Sequence, residues 1–375
     1  MRNETQPSSV LDAPEVLHVL PFDQPRGAQR YARSLIDHLT AEGSRHLLLT
    51  IFESESNVVK ADIALEVTRG PLRRIGLDPR AVWRLRRAYL RVRPGVVVAH
   101  GGESAKYAAL ALPRNAKLVY LKIGTEHPGL KRRTSAIVHR FYVKRADALV
   151  AVSAEAAREL GEVGGVDRGR VAVIPNGRDP NVYKPASDRG NRAKPRLIWI
   201  GQLDTSKRPE WFVEVVGALR SAGRDVDGVL VGDGPRRAEL QSMADASGVE
   251  MMGHRDDIPS LLAESDVLVF TGTPPEGMPG VLIEAGLCGI PAVSTRVPGA
   301  EDVIEDGVTG ALVAVEDFAG LAATVTRLLD NAGLRETMGR RGRERCVDRF
   351  SLDATATRWR QVFHDVVDHP GRSKT

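Results

Sequence analysis

The chain has 375 residues, 42% hydrophobic and 27% charged, with a formal net charge of +5. That is more chain than one average core organises, so two domains are expected, and the composition is that of a globular protein rather than a fibrous or disordered one. No run approaches the ~20 apolar residues that span a bilayer, and Cys288 and Cys346 are too few for a disulfide framework or a cysteine metal cluster, which predicts a reducing, cytoplasmic setting. The polar stretch 1–15 lacks the apolar core of a signal peptide and reads as a flexible leader. Buried-strand runs then alternate with helical patterns: VLHVL (16–20) and the helix RGAQRYARSLIDHL, HLLLTIF (46–52), GVVVAH (95–100) and the helix ESAKYAALAL, KLVYLKI (117–123), and DALVAVS (147–153). The proline-rich segment 175–195 interrupts this rhythm. It resumes with RLIWIGQL (196–203), GVLVGDG (228–234), VEMMG (249–253), DVLVFTG (266–272), IPAVST (290–295) and GALVAV (310–315), and only helices follow. The expectation is α/β: two Rossmann-like, doubly wound parallel-sheet domains at 16–180 and 196–352, joined by a linker at 181–195, with a last helix at 353–367. Ligands in such sheets bind outside the carboxyl ends of the strands, here the cleft between domains.

The charge is unevenly placed. Residues 1–190 hold 31 Lys and Arg against 20 Asp and Glu (+11), and residues 191–375 hold 22 against 28 (−6). Two dense basic runs, RLRRAYLRVR (84–93) and KRRTSAIVHRFYVKR (131–145), lie in the first half. Nucleic acid, anionic lipid headgroups or an anionic substrate each answer such charge, and so does a plain solvated helix face. No interleaved stacking motif accompanies the runs, so no nucleic-acid partner is expected, although a basic nucleic-acid-binding protein is the alternative from outside the enzymes.

The densest chemistry is EGMPGVLIE (276–284), directly after the apolar run DVLVFTG. Glu276 and Glu284 are eight positions apart, which is 80° beyond two helical turns, so they are not neighbours on one regular helix face. Gly277, Pro279 and Gly280 put a loop first and a helix second, with Glu276 in the loop and Glu284 in the helix. A helix N-terminus between two acids suits a phosphate flanked by hydroxyl-rich groups. A surface acid plus an acid complementing the helix dipole fits the same spacing. In GQLDTSKRPEW (201–211), Lys207 stands just before a helix and offers a point charge to a diphosphate, or merely to water. Gly27 in PRGAQRYAR allows close approach of a bound group to a helix N-terminus, or makes a plain turn. His100 and His127 follow strands beside glycines, positions where histidines do chemistry more often than elsewhere. GDGPRR (232–237) fails the dinucleotide fingerprint at Arg237 and reads as structural. Serine-hydrolase elbow, zinc-protease, C-x-x-C and P-loop patterns are absent, and no Asp-x-Asp closes a strand, so no metal site is expected.

Across 196–315 the motifs GQL-x4-K, GDGP, GHRDDIPSLLAESDVLV, EGMPGVLIEAGLCGIPAVST and GAEDVIEDGVTGALV run in the order and spacing of the retaining glycosyltransferases of family 4, which the sequence resembles. The first half is similar through RGAQRYARSL, VSAEAAREL and VIPNGRDPNVYKP. The resemblance implies the GT-B fold, with the final helix packing back on the first domain, and a metal-independent hexosyl transfer that retains anomeric configuration. Glu276 then contacts the donor sugar, Glu284 the ribose, and the backbone of Met278, Pro279, Gly280, Val281 and Leu282 approaches sugar and diphosphate. Lys207 and Gly27 meet the diphosphate, Arg255 lies at the nucleobase, and His127 lies near the anomeric centre. Two departures stand out: Gln202 replaces the family's usual arginine, with Arg208 next to Lys207 as the candidate substitute, and Arg26 replaces a glycine. Arg26 and His100 are the acceptor-side candidates. The expected donor is a nucleotide-sugar, UDP ahead of GDP, with no further cofactor. The acceptor is a glycan, a lipid-linked molecule or a small molecule, reached by peripheral contact of the basic domain with the inner face of the plasma membrane. Within the same fold, a nucleotide-sugar 2-epimerase is the alternative enzyme.

Overall fold

The computed structural model describes residues 15–24, 27–54, 58–68, 77–124, 133–187, 194–274 and 276–368, with side chains in the helix that opens at Arg133 described from residue 136 onward. Among these residues the strands form two parallel sheets. The first contains β1 (Val16–Leu20), β2 (His46–Phe52), β3 (Ile63–Val67), β4 (Val96–His100), β5 (Lys117–Lys122), β6 (Ala148–Ala151) and β7 (Val171–Val173), in the order β3-β2-β1-β4-β5-β6-β7. The second contains β8 (Arg196–Ile200), β9 (Asp227–Val231), β10 (Val249–Gly253), β11 (Val267–Phe270), β12 (Ala292–Thr295) and β13 (Gly310–Val313), in the order β10-β9-β8-β11-β12-β13. This is the GT-B architecture of two Rossmann-like domains.

Every residue of β1 and of β4 is buried, as largely apolar strands covered by helices on both faces are, the polar members being His18 and His100. Strand order reverses between β1 and β4, and again between β8 and β11, with Val16 paired to both His46 and Val96. Each reversal opens a crevice at the carboxyl ends of its sheet. Two strands escaped the sequence pattern, β3 and β7. Both are edge strands: β3 alternates in burial and β7 has only three residues, so neither carries a continuous apolar run.

The chain leaves the first sheet after β7 and returns at the end of the helix Ala332–Phe350. These two crossings bond to each other. The Arg178 N–H donates to the Phe350 carbonyl (2.9 Å), and the Leu352 N–H donates to the Arg178 carbonyl (3.0 Å). Gly177 permits the contact, because a Cβ there would strike Thr355 Oγ1 and lie 3.0 Å from the Ser351 carbonyl. The last helix, Leu352–Asp368, then covers the first domain. Trp359 Nε1 donates to Tyr31 Oη (3.0 Å), and Phe363 stacks on Trp359 and meets His18 edge-on. Among the described residues, no helix is long and apolar enough to cross a membrane.

A candidate active site between the two domains

The two crevices face each other and enclose a cavity of about 730 Å³. The first domain contributes Gly27 and Arg30 after β1, Gly124 after β5 and Val152 after β6; the crossing segment contributes Asn176 and Arg178. The second domain contributes Gly201, Gln202 and Lys207 after β8, Gly232 after β9, His254 and Arg255 after β10, and the loop after β11 from Glu276 into the next helix. Asn176 is buried beside the cavity, and its Oδ1 has no hydrogen-bond partner among the described residues.

Lys207 and Glu276 are joined. The ammonium donates to Glu276 Oε2, and both side chains are about one-fifth exposed. The backbone around Lys207 is fixed from two sides. Asp204 Oδ1 accepts from the N–H of Ser206 (2.9 Å) and of Lys207 (3.1 Å), folding the loop. Thr271 Oγ1, at the end of β11, lies 2.7 Å from the Lys207 carbonyl and 2.8 Å from that of Arg208, and itself accepts from Trp199 Nε1 (2.9 Å). A pre-positioned ammonium beside a carboxylate can bind an anionic leaving group and a hydroxyl-bearing ring at one place.

Glu284 sits one turn into the helix Gly280–Leu287, whose open N-terminus faces the cavity. Its Oε1 accepts from Arg178 Nε at 2.7 Å, with both side chains roughly seven-eighths buried. Burial works against the Arg178 charge, but the neighbouring Glu284 carboxylate holds its pKa above the ordinary guanidinium value. Tyr183 stands close to this pair; burial first, then Glu284, pushes its phenol up. Gly280 leaves room for this arrangement, since a Cβ on it would strike Arg178 Nη2 and displace the guanidinium. Arg178 is the residue that sequence reasoning missed. It lies in the proline-rich segment 175–195 that interrupts the strand rhythm, 106 positions from its partner, and nothing in local spacing joins the two.

Of the other expected positions, Gln202, Arg255, Met278, Pro279, Gly280, Val281 and Gly27 line the cavity. The Arg255 side chain is engaged with Asp257 by two bonds of 2.8 and 2.6 Å. The Leu282 side chain is buried in the core, leaving only its backbone near the helix start. Two expectations are corrected. Arg208 turns away from the cavity: its backbone is left-handed (φ 44°), its guanidinium lies 4.1 Å over the Trp211 ring, and Nη2 donates to the Val315 carbonyl (2.5 Å). The turn before Pro209 sends adjacent side chains to opposite sides, so Arg208 does not replace the charge absent at Gln202. His100 also leaves the cleft. Its Nε2 is 2.9 Å from His18 Nδ1, whose Nε2 is 3.1 Å from His46 Nδ1, forming a buried imidazole chain beneath the last helix. Burial lowers His46 and His100 to about 4, and burial with the neighbouring imidazoles lowers His18, so the chain is neutral. The end of a strand covered on both faces does not dictate which way its last side chain points. Arg26 and His127 lie outside the described residues.

Two family models match the chain: "Glycosyltransferase Family 4" over residues 25–182 and "Glycosyl transferases group 1" over 194–331. The chain belongs to the family 4 (group 1) glycosyltransferases. It is 29% identical over 241 residues to the N-acetyl-alpha-D-glucosaminyl L-malate synthase of Bacillus anthracis, covering 61% of this chain and 62% of that enzyme. It is 29% identical over 287 residues to the glycogen synthase of Mycobacterium tuberculosis, covering 72% and 69%. The alignment thus spans less than two-thirds of the malate synthase. Among solved structures, Anabaena Alr3699/HepE in complex with UDP-glucose superposes with a TM-score of 0.76 at 21% identity, over 93% of this chain and 99% of that one. At that identity the likeness speaks to the fold of this family 4 chain.

Proposed function

We propose that this glycosyltransferase moves a hexosyl unit from a nucleotide-sugar to an acceptor hydroxyl with retention of anomeric configuration. The observation that carries the reading is the Lys207–Glu276 pair, held at the mouth of a helix that presents Glu284 one turn further on, in a cavity roofed by the other domain. Glu284 takes the ribose hydroxyls, the helix N-terminus and Lys207 take the diphosphate, and Glu276 takes the sugar hydroxyls. The bond from the anomeric carbon to the phosphate oxygen breaks, and the bond to the acceptor oxygen forms on the same face. The acceptor's proton passes to the departing phosphate oxygen. Lys207 and the helix N–H groups stabilise the charge that develops there, so no metal or cofactor is assigned a part. Met278, Pro279 and Val281 shape the donor pocket, and the backbone at Arg255 borders the base. His127 is kept as the residue near the anomeric carbon. UDP is placed first as donor nucleotide, with support from the UDP-glucose complex of HepE.

The acceptor reading, and with it a cytoplasmic place at the inner membrane face, rests on one surface of the first domain. The helices Pro79–Val92 and Arg133–Arg145 contain no acidic residue, and the helix Gly101–Ala111 packs between them. Trp83, Leu90, Ile137 and Phe141 on these two helices are about half exposed or more, amid basic side chains. Aromatic and aliphatic groups among arginines suit an anionic bilayer carrying a lipid-linked acceptor.

A thermal-shift series with UDP-, GDP- and ADP-glucose tests the donor reading, since a ligand of the folded state raises its apparent stability. A rise with one of them is expected, and no rise with any overturns it. Glu276→Ala should abolish transfer while still binding nucleotide, so full activity in that variant removes its role. Sedimentation with vesicles should require anionic lipid, and equal sedimentation with neutral vesicles counts against the docking face.

A further inference from the structure

We propose that Arg178 supplies the second cation for the donor's diphosphate, in place of the charge that Gln202 does not carry. The inference rests on the nucleotide-sugar reading and adds to it a residue from the crossing between domains. The guanidinium points in three directions. Nε is held by Glu284 Oε1 at 2.7 Å, and Nη1 donates to the Gly177 carbonyl at 3.1 Å. Nη2 lies against Gly280 at the start of the second-domain helix and 3.8 Å from where a Cβ on Gly27 would stand, at the start of the first-domain helix. No protein acceptor meets Nη2 among the described residues.

Two helix N-termini and a buried guanidinium therefore converge on one point, opposed by a single carboxylate that is engaged at Nε. Positive ends of helix dipoles beside a cation repel it unless an anion sits among them. The other cations that line or border the cavity have carboxylates of their own or face away: Lys207 is paired with Glu276, Arg255 with Asp257 and Arg30 with Asp256, and Arg208 is turned toward Val315. A phosphate bridging the two helix N-termini would accept from Nη2 while Glu284 keeps Nε and faces the ribose. The fork geometry of arginine is what allows both at once, and a lysine at 178 would have to choose between them. Because the backbone of Arg178 bonds to both Phe350 and Leu352, the residue that meets the phosphate is also where the two domain crossings are tied. The cation that orients the diphosphate thus sits on the crossing between the domains rather than on either sheet.

The test compares nucleotides that differ only in phosphate. Titration calorimetry with UDP and with uridine is run on the full chain, on Arg178→Gln and on Arg178→Gln/Gln202→Arg, with the guanosine series in its place if the wild type takes guanine. Wild type should prefer the diphosphate over the nucleoside. Arg178→Gln should lose about tenfold to a hundredfold in UDP affinity, the scale of a hydrogen bond to a charged group, with uridine changed by less than about threefold. The added Gln202→Arg should restore most of the loss. Equal UDP affinity in wild type and Arg178→Gln overturns the inference and leaves the donor reading standing. A parallel loss for UDP and uridine also overturns it, because the effect then runs through Glu284 or the fold. Absence of binding to any nucleotide by wild type overturns the donor reading itself. Should Arg178→Gln not fold, Arg178→Lys is read in the same way: its UDP-to-uridine affinity ratio should fall about tenfold, and an unchanged ratio refutes the assignment.

Discussion

Four buried histidines should make this fold acid-sensitive, and His139 isolates the effect. His139 is 1% exposed, wedged between the rings of Tyr120 and Tyr142, and neither ring nitrogen has a hydrogen-bond partner among the described residues. Burial, with the Lys122 charge adding to it, lowers its pKa to about 4 from an ordinary 6.5. The native state keeps the ring neutral, whereas the unfolded chain takes up a proton below pH 6.5. Stability is therefore whole above pH 6.5 and is lost progressively as the pH falls toward about 4. For one such group the loss between pH 7 and pH 5 is about 2 kcal/mol. His46 and His100 are lowered to about 4 as well, and His18 is lowered with them, so all four act in the same direction. Urea unfolding followed by tryptophan fluorescence at pH 7.5, 6.5, 5.5 and 5.0 should show a falling midpoint. His139→Phe places an apolar ring of similar shape at the site and removes two unpaired buried nitrogens. It should match or exceed wild type by about 1 kcal/mol at pH 7.5. Its stability should also fall less steeply with acid, by about 1.4 kcal/mol per pH unit. A variant as acid-sensitive as wild type, or a wild type with no pH dependence over this range, refutes the reasoning.

Lys207→Ala removes the ammonium aimed at the leaving group and should lower kcat about 10²- to 10³-fold with little change in melting temperature; steady-state kinetics with unfolding curves checks both. Gly280→Ala drives a methyl group into Arg178 Nη2, the movable end of a side chain, so the fold should survive while the guanidinium leaves Glu284. Nucleotide affinity by calorimetry should then fall at least about tenfold, the scale of one charge-assisted bond. Arg208→Ala loses the bond to the Val315 carbonyl and the stacking on Trp211, and should cost about 2 kcal/mol in urea unfolding. Its nucleotide affinity should stay at the wild-type value, because the side chain faces away from the cavity.

The sheet strands that mattered most were legible because burial on both faces makes them predominantly apolar runs. VLHVL, HLLLTIF and KLVYLKI are β1, β2 and β5 almost residue for residue. Ile63–Val67 and Val171–Val173 were not legible, since an edge strand needs no such run. The loop-then-helix arrangement of Glu276 and Glu284 could be read from Gly and Pro alone. What each acid touches could not. Lys207 lies 69 positions from Glu276, and Arg178 lies 106 from Glu284. Such pairs are made by bringing strand ends and domain crossings together, and no local spacing records them. The same limit explains Arg208 and His100. Sequence places the backbone at the cleft's edge, but a left-handed residue before a proline and a strand covered on both faces send the side chains elsewhere.

Gln202, Arg178 and Gly280 are best understood together. An arginine at 202 would be carried by the second domain alone and would hold a diphosphate whether the domains were open or closed. An arginine at 178 is carried by the crossing segment, and its Nη2 finds both helix N-termini only when Gly27 and Gly280 face each other. On the reading proposed above, moving the charge from the sheet to the crossing ties tight diphosphate binding to that facing of the two glycines. Gly280 completes the arrangement: a side chain there would meet Arg178 Nη2 and push the guanidinium off the helix N-terminus.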